Sequence, residues 1–192
     1  MKGELKMNKR LIEISKIISY ALRHHPEDFN LNLNNNGSVN IGTLIKNINA
    51  KTHLNITLGD ITAIMDNARK QRWGIQDNTI RALYGHSFKL AIDYKEIVPP
   101  TILYHGTAPR FLDSIMQQGI LPMNRQKVCL STNENTAKTV ALRHDHQHYI
   151  IITIDAKRAS KDGVKFYQGN DETILADKIV PKYFVDVKRR EI

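Results

Sequence analysis

The side chains here that can do chemistry are mainly guanidinium and imidazole groups, with few candidate carboxylates beside them. Leu22-Arg23-His24-His25-Pro26 is the first such cluster. A guanidinium presents a planar fork to phosphate oxygens, and an imidazole can donate a hydrogen bond or move a proton. The same residues at a helix C-terminus also favour the helix dipole with no ligand present. Phosphate clamp and helix end therefore both fit. Lys70-Gln71-Arg72-Trp73 adds two cations beside an indole. It fits a nucleic-acid contact, or a solvated strand edge with Trp73 in the core. Gly85-His86-Ser87 fits a turn that offers its amides to an anion, or an ordinary turn. Tyr104-His105-Gly106-Thr107 closes a short strand. Gly106 would let a ligand approach the backbone, and His105 and Thr107 could hydrogen-bond a ribose or an amide. A capped strand-to-helix turn accounts for the same residues. His144-Asp145-His146-Gln147-His148 alternates imidazoles, which can bind metal. No further His or Cys stands at structural-zinc spacing, so the segment reads as a solvated loop and no metal is expected.

Cys129 is the single cysteine, which rules out an internal disulfide. It lies in an apolar run and reads as packed rather than nucleophilic. The common glycine-rich nucleotide loops and the serine nucleophile elbow are absent.

These clusters need elements to hold them. Leu11, Ile14, Ile18, Ala21 and Leu22 form one apolar stripe at helical spacing, and Pro26 stops that helix. Asn34-Asn35-Asn36-Gly37 predicts a turn between two short alternating runs, hence a small hairpin. A second short helix follows Val39, and a third runs from about Leu58 to Asn67. Arg72–Ile75 and Thr79–Ala82 predict two strands joined at Gln76-Asp77-Asn78. Three helices followed by a hairpin is the order of a winged-helix module, or of a generic small α+β domain.

Pro99-Pro100 is the best boundary, dividing the chain into 1–98 and 99–192. Beyond it the pattern predicts strands at Ile102–Tyr104, Val128–Ser131, Tyr149–Asp155, Phe166-Tyr167, Thr173–Leu175 and Phe184–Val187. Helices are expected over Arg110–Gln118 and Asn135–Arg143. The fold class is α+β, with a split β-structure rather than a doubly wound sheet.

The chain has 192 residues, 28 Lys plus Arg against 19 Asp plus Glu, and a net charge of +9. Residues 1–98 hold 14 basic and 9 acidic side chains, and 99–192 hold 14 and 10, so both halves favour a polyanion. No apolar run is long enough to span a bilayer, and no membrane partner is expected. Met1–Lys6 lacks the apolar stretch of a signal peptide, which makes the cytoplasm the expected compartment.

Taken in order, the clusters resemble the RNA 2′-phosphotransferase family, the KptA type. Its Leu-Arg-His-x-Pro motif stands as Leu22–Pro26, and its Lys-x-Arg-aromatic motif as Lys70–Trp73. Ile80-Arg81-Ala82 with Gly85-His86-Ser87, Tyr104–Thr107, Met123-Asn124-Arg125 with Leu130-Ser131, and Val140–His144 follow in the family's order. The resemblance spans about residues 11–187. It implies a winged-helix-like N-terminal lobe for RNA and an ADP-ribosyltransferase-like C-terminal lobe for NAD.

The implied reaction consumes NAD as a co-substrate. The 2′-phosphate of a tRNA-like RNA attacks the nicotinamide ribose, giving 2′-phospho-ADP-ribosylated RNA and nicotinamide. The ribose 2″-hydroxyl then attacks phosphorus and releases 2′-OH RNA and ADP-ribose 1″,2″-cyclic phosphate. By the same resemblance Arg23, Arg72 and Arg125 clamp the phosphate. His24 contacts it or acts as general acid/base. His105, Gly106, Thr107 and Ser131 hold NAD, with Arg143 near the pyrophosphate or phosphate. A monomer is expected.

Two positions depart from the family. Its His-Val-His reads Lys127-Val128-Cys129, and its Asn-Gly-Val-x-Leu-Thr is blurred across Asn170–Ala176. Two other readings stay open: an ADP-ribosyltransferase that stops after the first step on nucleic-acid phosphate or protein, and a non-catalytic nucleic-acid-binding module.

Overall fold

A computed structural model describes residues 8–68, 70–89 and 91–192. The charged Met1–Lys6 segment lies outside the described residues. The described chain falls into two compact units, one ending at Asp93 and the other running Tyr94–Ile192.

In the first unit, α1 (Lys9–Arg23) starts at Asn8, whose side chain accepts from the Leu11 amide. Its buried stripe is Ile14, Ile18, Ala21 and Leu22, each worth about 1.5–3 kcal/mol for the larger side chains. His24 caps it, and Pro26 opens a single 3-10 turn, Pro26–Phe29. β1 (Ser38–Asn40) leads into α2 (Ile41–Lys51), which Asn40 caps. α3 (Leu58–Asn67) begins with a reciprocal capping box between Thr57 and Asp60. Arg10 of α1 pairs with that same Asp60. β2 (Trp73–Gln76) and β3 (Thr79–Ala82) are joined by Asp77 and Asn78, at φ 51° and 63°. Two consecutive left-handed residues are what a tight hairpin turn with the twist of its strands requires.

The first sheet has the order β1-β3-β2. The expected hairpin around Asn34–Gly37 is corrected here. The turn forms, with the Gly37 amide donating to the Asn34 carbonyl at 2.8 Å. Yet Leu31–Leu33 is not a strand, and β1 pairs with β3, placing Val39 opposite Ile80. Val39, Ile80 and Leu31 all enter one core with Ile14, Ile18 and Trp73. Burial of Leu31 there outweighs pairing with its sequence neighbour.

The second unit is built on seven strands in the order β10-β7-β5-β6-β9-β8-β4, every neighbouring pair antiparallel. They are β4 (Glu96–Ile97), β5 (Ile102–Thr107), β6 (Val128–Ser131), β7 (His148–Asp155), β8 (Phe166–Asn170), β9 (Thr173–Ala176) and β10 (Phe184–Glu191). Lys95 and β4 pair with β8, which ties residues 94–98 to this unit and puts Pro99-Pro100 inside it. α4 (Leu112–Gln118), α5 (Glu134–Ala141) and α6 (Ala156–Lys161) complete it.

Three element expectations shift. Pro109–Phe111 is a 3-10 turn, so Arg110 precedes α4 rather than lying in it. α5 ends at Ala141, before Arg143. α6 arises where only strand end was expected, capped by the Asp155 side chain.

β5 and β6 share only one register pair, Tyr104 with Ser131. β5 is otherwise zipped to β7 over six residues, and β6 to β9 over four. The sheet is therefore two well-paired halves joined at a single rung.

Candidate active site

The first unit gathers its cationic residues at the end of α1. Arg23 Nη2 donates to the Arg72 carbonyl at 3.2 Å. Its guanidinium carbon lies 4.8 Å from the centre of the Tyr84 ring, and Lys70 Nζ lies 5.4 Å from the same ring. Both cations lie within reach of the quadrupole of that ring, which attracts them. His24 Nδ1 lies 2.8 Å from Ser87 Oγ. The Arg23 side chain and the Arg72 main chain thus meet within one unit, with His24 next to Arg23 along the chain. His25 turns elsewhere, stacked on Tyr20 at 4.9 Å and paired with Glu27.

His86 is completely buried beneath this cluster. Burial, followed by the nearby charges of Arg23, His24 and Arg81, pushes its imidazole down to about 3. It stays neutral at physiological pH. The Gly85-His86-Ser87 turn does not leave all its amides for an anion: the Ser87 amide donates to the Arg23 carbonyl at 2.8 Å. That bond satisfies one of the orphan carbonyls at the end of α1. Trp73 sits in the core as expected, with its indole N–H donating to Ser19 Oγ.

In the second unit, β5 carries His105, Gly106 and Thr107, and β6 ends with Ser131. Burial pushes the His105 imidazole down to about 4; a hydrogen bond with the Cys129 main chain opposes this, and the charges of His144 and Arg125 add to it. The imidazole bonds across from β5 to β6 beyond the single Tyr104–Ser131 rung. Thr107, Ser131, Asn170 and Thr173 are the buried polar side chains of this unit among the described residues. Thr173 pairs in register with both Ser131 and Asn170, and its Oγ1 has no hydrogen-bond partner. Asn170 and Thr173 are not among the expected site residues; Asn170 ends β8 and Thr173 opens β9, whose other residues are apolar, and that contrast was the available signal.

Gly106 has a structural reason of its own. A Cβ there would stand 1.9 Å from the Ala137 carbonyl oxygen of α5. The bare backbone lets α5 lie directly on β5. Arg125 is exposed in the turn before β6, and its Nη1 lies 3.5 Å from Cys129 Sγ. Lys127, standing where the family's first histidine would be, pairs with Asp177 and lies 4.1 Å from the Tyr167 ring centre. Arg143 is exposed just past α5.

His144, His146 and His148 are exposed, and Asp145 caps the amides of Gln147 and His148. Among the described residues, the group whose ligand atoms come within 4.8 Å of one another is His25, Glu27 and Asp28. All three are exposed, and Asp28 already accepts from the Tyr20 hydroxyl. No helix of the described residues is long and apolar enough to cross a membrane.

The motif residues of both units are those of a known transferase family, and the comparisons show which. The model of the RNA 2′-phosphotransferase, Tpt1 / KptA family matches residues 9–178. The probable RNA 2′-phosphotransferase of Bacillus thuringiensis subsp. konkukian is 40% identical over 186 residues, covering 95% of this chain and all of that protein. Its namesake from Fusobacterium nucleatum is 42% identical over 91% of this chain and 97% of its own. The one from Thermococcus kodakarensis is 34% identical over 88% of this chain and 92% of its own. The chain belongs to the RNA 2′-phosphotransferase family.

Proposed function

We propose that this protein removes an internal 2′-phosphate from RNA in an NAD-dependent transfer. The observation that carries the reading is that Arg23, over the Tyr84 ring, donates to the Arg72 main chain while the adjacent His24 meets Ser87, so that the family's arginine and histidine motifs meet in one unit. The first unit, three helices followed by a hairpin, is assigned as a winged-helix-like lobe for RNA. The second is assigned as an ADP-ribosyltransferase-like lobe for NAD.

The second unit's residues fit that co-substrate. Thr107, Ser131, Asn170 and Thr173 supply buried hydrogen-bonding groups suited to a carboxamide and ribose hydroxyls, and Thr173 Oγ1 has its capacity unspent. His105 presents a neutral imidazole, which binds without repelling a positively charged nicotinamide ring. Gly106 keeps β5 in line beneath α5, and Arg143 is assigned to the pyrophosphate. NAD supplies the ribosyl group that takes the phosphate, with nicotinamide as the leaving group.

Arg23, Arg72 and Arg125 neutralise the phosphate, which lowers the cost of charge gathering on its oxygens during displacement. His24 supplies the proton that the departing RNA 2′-oxygen must gain. Loss of one such group costs on the order of 10²–10³ in turnover.

The test is incubation with NAD and a short RNA bearing one internal 2′-phosphate, followed by mass analysis. The expected products are 2′-OH RNA and ADP-ribose 1″,2″-cyclic phosphate, and Arg23→Ala slows the formation of both by about 10²–10³-fold. No loss of phosphate, beside an active control enzyme, rejects the proposal. Accumulation of ADP-ribosylated RNA without cyclic phosphate replaces it with a transferase that stops after the first step.

A further inference from the structure

We infer that Ser87 is a positioning residue for His24, a two-point latch that fixes which imidazole nitrogen meets the phosphate. The inference rests on the reading above, in which His24 acts at that phosphate. Ser87 bonds to two successive residues at the end of α1. Its amide donates to the Arg23 carbonyl at 2.8 Å, and its hydroxyl lies 2.8 Å from His24 Nδ1. The first bond sets the distance between the segment and the helix. The second then acts on an imidazole whose backbone is already fixed as the helix cap.

The segment that carries Ser87 is itself anchored. Gly85 adopts φ +88°, a region that favours glycine. A Cβ added there would come within 3.8 Å of Arg23 Cδ. His86 next to it is fully buried, edge-on to Phe88 with ring centres 5.4 Å apart. Gly37 closes the other side, where a Cβ would lie 3.4 Å from His86 Nε2. Ser87 is therefore an exposed side chain on a buried footing. An exposed serine on a mobile loop would have no such hold on its neighbour.

The chemistry of the pair explains why a hydroxyl suits this position. Which imidazole nitrogen carries the proton is set by the partner of the other nitrogen. A hydroxyl can donate to a bare Nδ1 and accept from a protonated one. It holds the ring in place in both protonation states, while the exchange with substrate runs through Nε2. A carboxylate in the same place would hold the imidazolium and bring negative charge toward the phosphate.

The experiment compares the wild type, Ser87→Ala and Ser87→Thr. Alanine keeps the amide bond to Arg23 and removes only the hydroxyl; threonine restores it. The expected result is a kcat lowered about tenfold or more in Ser87→Ala, as misorientation of a reacting group produces, with KM for RNA unchanged within about twofold. The His24 imidazole ¹⁵N shifts move toward a mixture of tautomers in the alanine variant. Threonine recovers both the kcat and the nitrogen shifts. Wild-type kcat in Ser87→Ala overturns the inference, as does failure of threonine to restore it. A wild type that removes no 2′-phosphate rejects the function proposed above instead. The latch is then decided by the nitrogen shifts alone, and shifts unchanged by alanine overturn it.

Discussion

Replacing Gly106 with alanine separates packing from ligand approach as the reason for that glycine. The added Cβ would stand 1.9 Å from the Ala137 carbonyl oxygen, 2.7 Å from its carbonyl carbon and 3.1 Å from Ala141 Cβ. An ordinary contact needs about 3.4 Å or more. α5 must retreat from β5 by about 1.5 Å, and the obstacle is helix backbone, which cannot rotate aside. Ala137 and Ala141 are both fully buried against Ile151 and Tyr149, so the retreat opens gaps along that face. Overpacking of this kind costs about 1–3 kcal/mol, and more where backbone must move. At a urea dependence of about 2 kcal/mol per molar, a cost near 3 kcal/mol lowers the midpoint by about 1.5 M. Circular dichroism during urea titration reads it. Gly59→Ala is the control, since its nearest contact, Thr57 Oγ1 at 3.6 Å, is ordinary and the site is helical. It should leave stability unchanged or raise it by about 0.4–1 kcal/mol. A Gly106→Ala midpoint within about 0.3 M of wild type would refute the packing argument and return the glycine to ligand approach alone.

Other perturbations have equally definite outcomes. Thr57→Ala removes the hydroxyl that accepts from the Asp60 amide, and should cost about 1 kcal/mol in the same titration. The Arg10 hydrogen bond, then those from Thr57, hold the Asp60 carboxyl down to about 2 from 3.8. Its folded form binds the proton less readily than its unfolded form. Its contribution is therefore whole above pH 3.8 and lost as pH falls toward 2, and Asp60→Asn should flatten thermal stability across that window. His86 and His105 act with the same sign at higher pH. Both stay neutral when folded but charge when unfolded, so stability falls as pH drops from 6.5 toward about 3 for His86 and about 4 for His105. Melting curves of His86→Gln should lose much of that slope. Arg125→Ala should lower 2′-phosphate removal about 100-fold or more in single-turnover assays, with Arg125→Lys a poor substitute for a forked donor.

The sequence revealed elements whose signals are local. α3 was bounded correctly because Thr57 and Asp60 announce a helix start, and α1 because Pro26 follows its apolar stripe. β1 was given the wrong partner. Its neighbour in sequence alternates like a strand, but the residues that complete its sheet lie 40 positions away at Thr79–Arg81. α6 escaped notice because AKRASK has no apolar period; a side-chain cap from Asp155 and the burial of Ala156 and Ala159 make it. β4, two residues long, exists only through β8.

At the site, the clusters were visible as motifs, but their internal wiring was not. That Tyr84 would stack Arg23, or that Ser87 would reach His24, depends on segments 61 and 63 residues apart in the chain. In the sequence Gly106 reads as a point of ligand approach, whereas its tightest neighbour is helix α5.

Trp73 is the only indole in the chain, and it follows Arg72 directly. It is 2% exposed, and its N–H is held by Ser19 of α1, the helix that ends in Arg23 and His24. The molecule thus carries an intrinsic fluorophore one residue from its cationic cluster. On the function proposed above, a phosphorylated strand taken up by that cluster would be followed by emission, with no label attached and no competing indole to dilute the signal.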